Sequence, residues 1–249
     1  MARLARKAVF KSPADIENII KESALIAIRN KRECISMKEI SQAMDRIEMG
    51  VAHKKHMTDY ERKMVAYHET GHLMVLYLLH PLNDVFKASI VSRGEALGMV
   101  QHQPKEELFT MNKEHLLANI KAGLGGYAAE KIKFNTTSTG TSEDLKKSTS
   151  YAYNMVWRLG MGTNELLADY TIIPQHQLSE DLKNKLNNEV SAIINRCMID
   201  VEKMLRDEWN IVEEFVQLLL EKDELEYDEI EEIFKKHGKS ISAQGNFSA

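Results

Sequence analysis

Cysteine is nearly absent from this chain: Cys34 and Cys197 are the only two in 249 residues, and they lie far apart. That excludes a disulfide framework and a cysteine-based zinc site. Both thiols are expected to be buried and reduced, in keeping with a reducing compartment. Long apolar runs are missing too. The longest, Leu73 to Leu79, falls far short of the roughly 20 residues needed to span a bilayer, so no span is expected. Neither sign of charge dominates. With 33 Lys and Arg against 37 Asp and Glu, the net charge is -4, which makes no electrostatic case for a nucleic-acid partner. The basic residues near the start, Arg3, Arg6, Lys7 and Lys11, are expected on the polar face of a helix rather than in a targeting peptide. No G-x-x-x-x-G-K-[ST] phosphate loop occurs, so the sequence carries no ATP-hydrolysing machinery of that kind. No internal repeat is visible.

What is present is an ordinary globular composition, 43% hydrophobic and 28% charged, with enough chain for two modest domains. Helix signals dominate. Ser12-Pro13 supplies an N-cap followed by proline at the first helical position, and Ile16, Ile19, Ile20, Ala24 and Ala27 recur at helical spacing. Ser36-Met37-Lys38-Glu39 is a capping box that opens a second helix carrying Ile40, Ala43, Met44 and Ile47. Gly50 to His56 is the expected linker, with His53 and His56 solvated there rather than ligating. Asp84 to Ser92 and Gly98 to His102 have strand character, and Arg93-Gly94-Glu95-Ala96 lies near the turn between them, which predicts a β-hairpin. Its edge would suit an extended peptide.

A further helix begins at Asn112-Lys113-Glu114-His115, and its glycines Gly123, Gly125 and Gly126 cost about 1 kcal/mol each relative to alanine unless they permit close packing. Asn135 to Ser142 is a Thr- and Ser-rich loop leading into another helix, which stops at Gly160-Met161-Gly162. Ser179 to Arg206 reads as one long amphipathic helix, followed by shorter ones near Ile211 to Lys222 and Tyr227 to His237. The expected fold class is mainly α: a short helical unit over residues 1-52, a multi-helical domain with a small β-hairpin over 53-237, and a frayed tail over 238-249.

The chemistry concentrates in His68-Glu69-Thr70-Gly71-His72, an H-E-x-x-H sequence. Thr58-Asp59-Tyr60-Glu61 caps a helix just upstream and Pro81 follows the apolar stretch, so the five residues fall mid-helix. Residues four apart share a helix face, so His68 and His72 can present two imidazole nitrogens to one zinc ion, with Glu69 beside the first to act on a water. Two histidines and a glutamate on a buried stripe are costly without such a partner. A catalytic zinc site takes a third protein ligand. The position six residues after His72 is Leu78, which excludes a third histidine at the metzincin spacing. The remaining candidates are Glu130, Glu143, Asp144 and Glu165. Asp144 stands out because it falls in the first turn of its helix, although an acidic residue there also serves as a simple cap.

Several segments taken together resemble the FtsH-type AAA+ zinc metalloproteases, over about Phe10 to Gly162. Phe10 to Asn18 is similar to the family's G-F-S-G-A-D-L-x-N of the AAA+ lid, and Ala66 to His72 to its A-Y-H-E-A-G-H. Gly125 to Glu130 is similar to G-G-R-A-A-E, and Ser138 to Leu145 to T-T-G-A-x-x-D-L. Met155-Val156 and Gly160-Met161 complete the series. The resemblance implies a zinc peptidase domain preceded by part of an AAA+ lid. It implies His68, His72 and Asp144 as metal ligands and Glu69 as the catalytic base. It further implies polypeptide substrates, unfolded or extracted from a membrane. The implied setting is a membrane-anchored hexamer, on the cytoplasmic side or its organellar equivalent, fed by an ATP-driven ring. The chain is then expected to be a fragment of a longer protein, with ATP belonging only to the whole. Tyr127, Thr141 and Glu143 depart from the family pattern without removing a ligand or the base. The competing reading is a catalytically silent helical assembly module whose zinc only stabilises the fold.

Overall fold

The structure, a computed structural model, describes residues 2–51, 55–163 and 166–239. His53, Glu165 and residues 240–249 of the expected tail lie outside the described residues, as does the expected 52/53 boundary.

The N-terminal unit comprises α1 (Ala2–Lys7), α2 (Pro13–Arg29) and α3 (Met37–Met49). Ser12 and Ser36 cap α2 and α3 as the sequence predicts: each side chain accepts from the helix's first turn, and Asp15 and Glu39 reach back to the cap. Ile19, Ile40 and Met44 form a small core between α2 and α3. Lys7 departs from expectation. It is buried rather than lying on a solvated face, with Nζ donating to Ser41 Oγ and to Gln101 Oε1. Cys34 departs as well. It sits exposed in the turn between α2 and α3, while Cys197 is buried as expected.

The larger unit is built on α4 (Asp59–Leu78) and α5 (Lys113–Phe134), which pack tightly along their length. Thr58 and Glu61 form the capping box of α4, and Asn112 caps α5. A methyl group at Gly71 would run into the Gly125 carbonyl, and one at Gly125 would lie 2.6 Å from the Gly71 carbonyl oxygen. These two glycines let the backbones touch, and that contact offsets their low helix propensity. Next come α6 (Ser142–Trp157), α7 (Glu180–Asp207), α8 (Trp209–Lys222) and α9 (Tyr227–Lys236). Leu116, Ile120 and Leu124 of α5 pack with Met155, Val156, Leu186 and Ile193 of α6 and α7 in one core, and α4, α8 and α9 close a second around Leu73, Phe215 and Phe234.

The hairpin is present, as β1 (Asn83–Ser89) antiparallel to β2 (Met99–Pro104), but it belongs to a larger sheet. A third strand, β3 (Glu224–Glu226), pairs with the other side of β1, giving the order β2-β1-β3. With Glu at both ends, β3 has no strand signature of its own. Its glutamates serve the buried Lys87 of β1. Gly238 and Lys239, the start of the expected frayed tail, still join the body: Lys239 N–H donates to Phe234 O, and its ammonium pairs with Glu208. Among the described residues no helix is long and apolar enough to cross a membrane.

Candidate metal centre

His68 and His72 sit one turn apart on α4 with their rings facing α5 and α6. Each ring is held through Nδ1. His68 Nδ1 donates to Glu130 Oε1 at 2.7 Å, and His72 Nδ1 donates to the Ala122 carbonyl at 2.7 Å. With Nδ1 committed as donor, a neutral imidazole turns its Nε2 lone pair the other way. The two Nε2 atoms lie 3.0 Å apart, and Asp144 Oδ2 lies 3.2 Å from each. Among the described residues this is the one group of three potential ligands that converges in this way.

Three acceptors at such separations repel unless a cation or a proton lies among them. Two imidazole nitrogens and a carboxylate oxygen match the donor set that zinc takes, so the residues fit the ion. Without a metal, the cluster recruits a proton. Burial opposes the His68 imidazolium, but hydrogen bonds to Asp144 and Glu130 outweigh it and raise the pKa to about 10. Burial likewise opposes the Asp144 carboxylate, and the two imidazoles hold it well below the usual range. A metal would displace that proton.

Asp144 reaches the site because of where α6 starts. Thr139–Thr141 wind into a short 3-10 turn capped by Ser138, and Thr141 Oγ1 donates back to Ser138 O at 3.0 Å. Asp144 then stands in the first turn of α6, aimed across at α4. The other candidates fall elsewhere. Glu143 is exposed and pairs with Lys146, while Glu130 is buried behind His68, where it also accepts from Ser138 N–H at 2.5 Å and Ser138 Oγ at 3.0 Å. Glu130 is therefore a buttress: it fixes the His68 ring and ties down the loop that delivers Asp144. The sequence marks it as a nearby carboxylate; only its position behind the ring distinguishes buttress from ligand. His56 is exposed, as expected of a linker residue.

Glu69 is 7% exposed, and burial raises its pKa, partly countered by the two histidines. Gly98, just before β2, presses against it. A methyl group there would meet Glu69 Cγ, Glu69 Oε1 and Ser89 O, each at 2.7 Å. Gly126 does the same for His68, since a methyl group would sit 2.5 Å from Cε1 of the ring. Two glycines thus leave the room that Glu69 and the first histidine occupy.

A helix-borne histidine pair, a carboxylate from a separate helix and a buried glutamate beside them form a candidate hydrolytic metal centre in a helical domain. Residues 55–233 match Peptidase family M41, and residues 1–42 match the AAA+ lid domain. The chain belongs to Peptidase family M41. It is similar to ATP-dependent zinc metalloprotease FtsH of Thermotoga maritima, 32% identical over 241 residues, which cover 92% of this chain and 40% of that protein. FtsH of Acholeplasma laidlawii is 36% identical over 88% of this chain and 36% of its own length, and FtsH of Halothermothrix orenii is 37% identical over 88% and 37%. The chain thus spans two fifths or less of these relatives.

Proposed function

We propose that this chain is a zinc-dependent endopeptidase domain acting on unfolded polypeptide, with His68, His72 and Asp144 as the ligands and Glu69 as the base. The observation that carries this reading is the convergence of two Nε2 atoms and one carboxylate oxygen, each held by its own support, beside a buried glutamate. A zinc ion bound there supplies Lewis acidity, polarising a carbonyl and lowering the pKa of water toward about 7. Glu69 accepts the proton of the attacking water and returns it to the departing amine. Its burial raises its proton affinity, which suits a group that must both take and give a proton near neutral pH. The outer edge of β2 is unpaired among the described strands, and it lies next to Gly98 and Glu69, which supports capture of substrate as an added strand. The similarity to FtsH supports a ring, a homo-hexamer, with an ATP-driven ring feeding extracted substrates. Membrane anchoring with this part on the cytoplasmic side rests on that resemblance alone.

Elemental analysis of protein purified without added metal tests the centre. About one zinc per chain is expected, and much less in Asp144→Asn. Hydrolysis of a small unfolded peptide, which needs no ATP-driven unfolding, should fall by roughly 10² to 10⁴-fold in Glu69→Gln with zinc retained. Full turnover by that variant would sink the assignment of the base. Zinc-loaded wild type that cleaves no peptide would favour the assembly-module reading.

A further inference from the structure

A cluster of charges that the peptidase chemistry does not use lies on the far side of the sheet. Lys87, in the middle strand β1, is fully buried. Its ammonium lies 2.8 Å from Asp45 Oδ2, 3.0 Å from Glu224 Oε1 and 3.5 Å from Glu226 Oε1. Asp45 is 1% exposed and comes from α3 of the N-terminal unit. The same Oδ2 accepts from Arg93 Nη2 at 3.3 Å, and Arg93 belongs to the connection between β1 and β2. One carboxylate of α3 therefore holds both a strand and the segment that leaves it. Burial opposes the Lys87 charge, but Asp45 and Glu224 outweigh it and keep the lysine protonated.

The neighbouring contacts run the same way. Arg6 pairs with Asp84 of β1 at 2.9 Å, Lys7 donates to Gln101 of β2, and Ser41 Oγ donates to Glu226 of β3 at 3.1 Å. A buried ion pair adds little net stability compared with apolar packing, but losing one partner strands the other charge, so the pair fixes geometry strongly. The connection that Arg93 anchors ends at Gly98, which lies so close to Glu69 that a methyl group there would come within 2.7 Å of Ser89 O and of Glu69 Cγ and Oε1. A continuous set of contacts thus leads from Asp45 to the proposed base.

We propose that Asp45 is a positioning residue for the peptidase site: through Lys87 and Arg93 it holds the β1–β2 connection, and with it Gly98, against Glu69. Docking of the N-terminal helices then sets the alignment of the base, and displacing them slackens it. This rests on the peptidase reading above, so its test has a readout independent of activity.

The test uses the whole chain with Asp45→Asn, which keeps the shape and removes the charge. Zinc content and KM for a small unfolded peptide should be unchanged while kcat falls by about tenfold to a hundredfold, the range for a misaligned reacting group. Amide exchange should quicken over residues 90–98, where Arg93 and Ala96 bond to each other, with α4 and α5 still protected. Arg93→Gln leaves Asp45 and Lys87 paired and removes the connection's ion pairs with Asp45 and with Glu224 of β3; it should reproduce both effects if Asp45→Asn folds poorly. Unchanged kcat and exchange in both variants would overturn the proposal, as would a loss of protection spread evenly over α4 and α5. Should the zinc-loaded wild type cleave no peptide, the peptidase reading fails, and exchange over 90–98 still decides whether Asp45 holds that segment.

Discussion

Glu130 and His68 are joined by a 2.7 Å hydrogen bond from Nδ1, and the second oxygen of the same carboxylate accepts the Ser138 amide at 2.5 Å. In Glu130→Gln the amide cannot accept from both donors, so either the ring or the Asp144-bearing loop loses its support. Zinc affinity is expected to fall by about tenfold to a hundredfold, as for other groups that orient a metal-bound histidine. Titration against a competing chelator measures it; unchanged affinity would mean the ring needs no such support.

Gly126→Ala separates metal binding from stability. Alanine favours a helix over glycine by about 1 kcal/mol, but the added methyl would meet the His68 ring, with Nδ1 at 2.6 Å and Nε2 at 2.7 Å. The ring must swing away from its partners. Zinc content should drop sharply while the zinc-free protein unfolds at a similar denaturant concentration. Normal zinc content would show that the ring adapts in place.

Gly71→Ala acts on the frame instead. The new methyl group collides with the Gly125 carbonyl on α5, which is backbone and cannot rotate aside. Forcing α4 and α5 apart should cost about 1 to 3 kcal/mol, read as a lowered urea midpoint with an unchanged slope. A midpoint equal to wild type would contradict the close approach of the two helices.

His80 makes stability depend on pH. It is buried, its Nε2 donates to Asn119 Oδ1 at 3.2 Å, and its Nδ1 accepts from the Leu82 amide. Burial lowers its pKa below 6.5, so the unfolded chain takes up the proton first. The stability it contributes is complete above that value and is lost as pH falls from there toward the folded-state pKa. Urea midpoints from about pH 8 to about pH 5.5 should decline, and His80→Gln should flatten the decline. An equal slope in the variant would assign the effect to other groups.

The sequence by itself determined the features that depend on near neighbours. Ser12, Ser36, Thr58, Asn112 and Ser179 mark the helix starts where the structure has them, because a cap and its partner lie within a few residues. The H-E-x-x-H pair is legible for the same reason, since one turn of helix brings His68 and His72 together. Tertiary structure alone decided what each carboxylate does. Glu130, Glu143 and Asp144 are equivalent as residue types, yet one supports a ring, one faces solvent and one meets both imidazoles, according to how α5 and α6 cross α4. The same holds for β3, whose Glu-Leu-Glu has no strand pattern until Lys87 is buried beside it, and for Lys7 and Asp45, which look like surface charges until the N-terminal helices dock. Periodicity and capping are local interactions, whereas the burial and pairing of a charge depend on chain segments that can be more than a hundred residues away, and only packing brings those together.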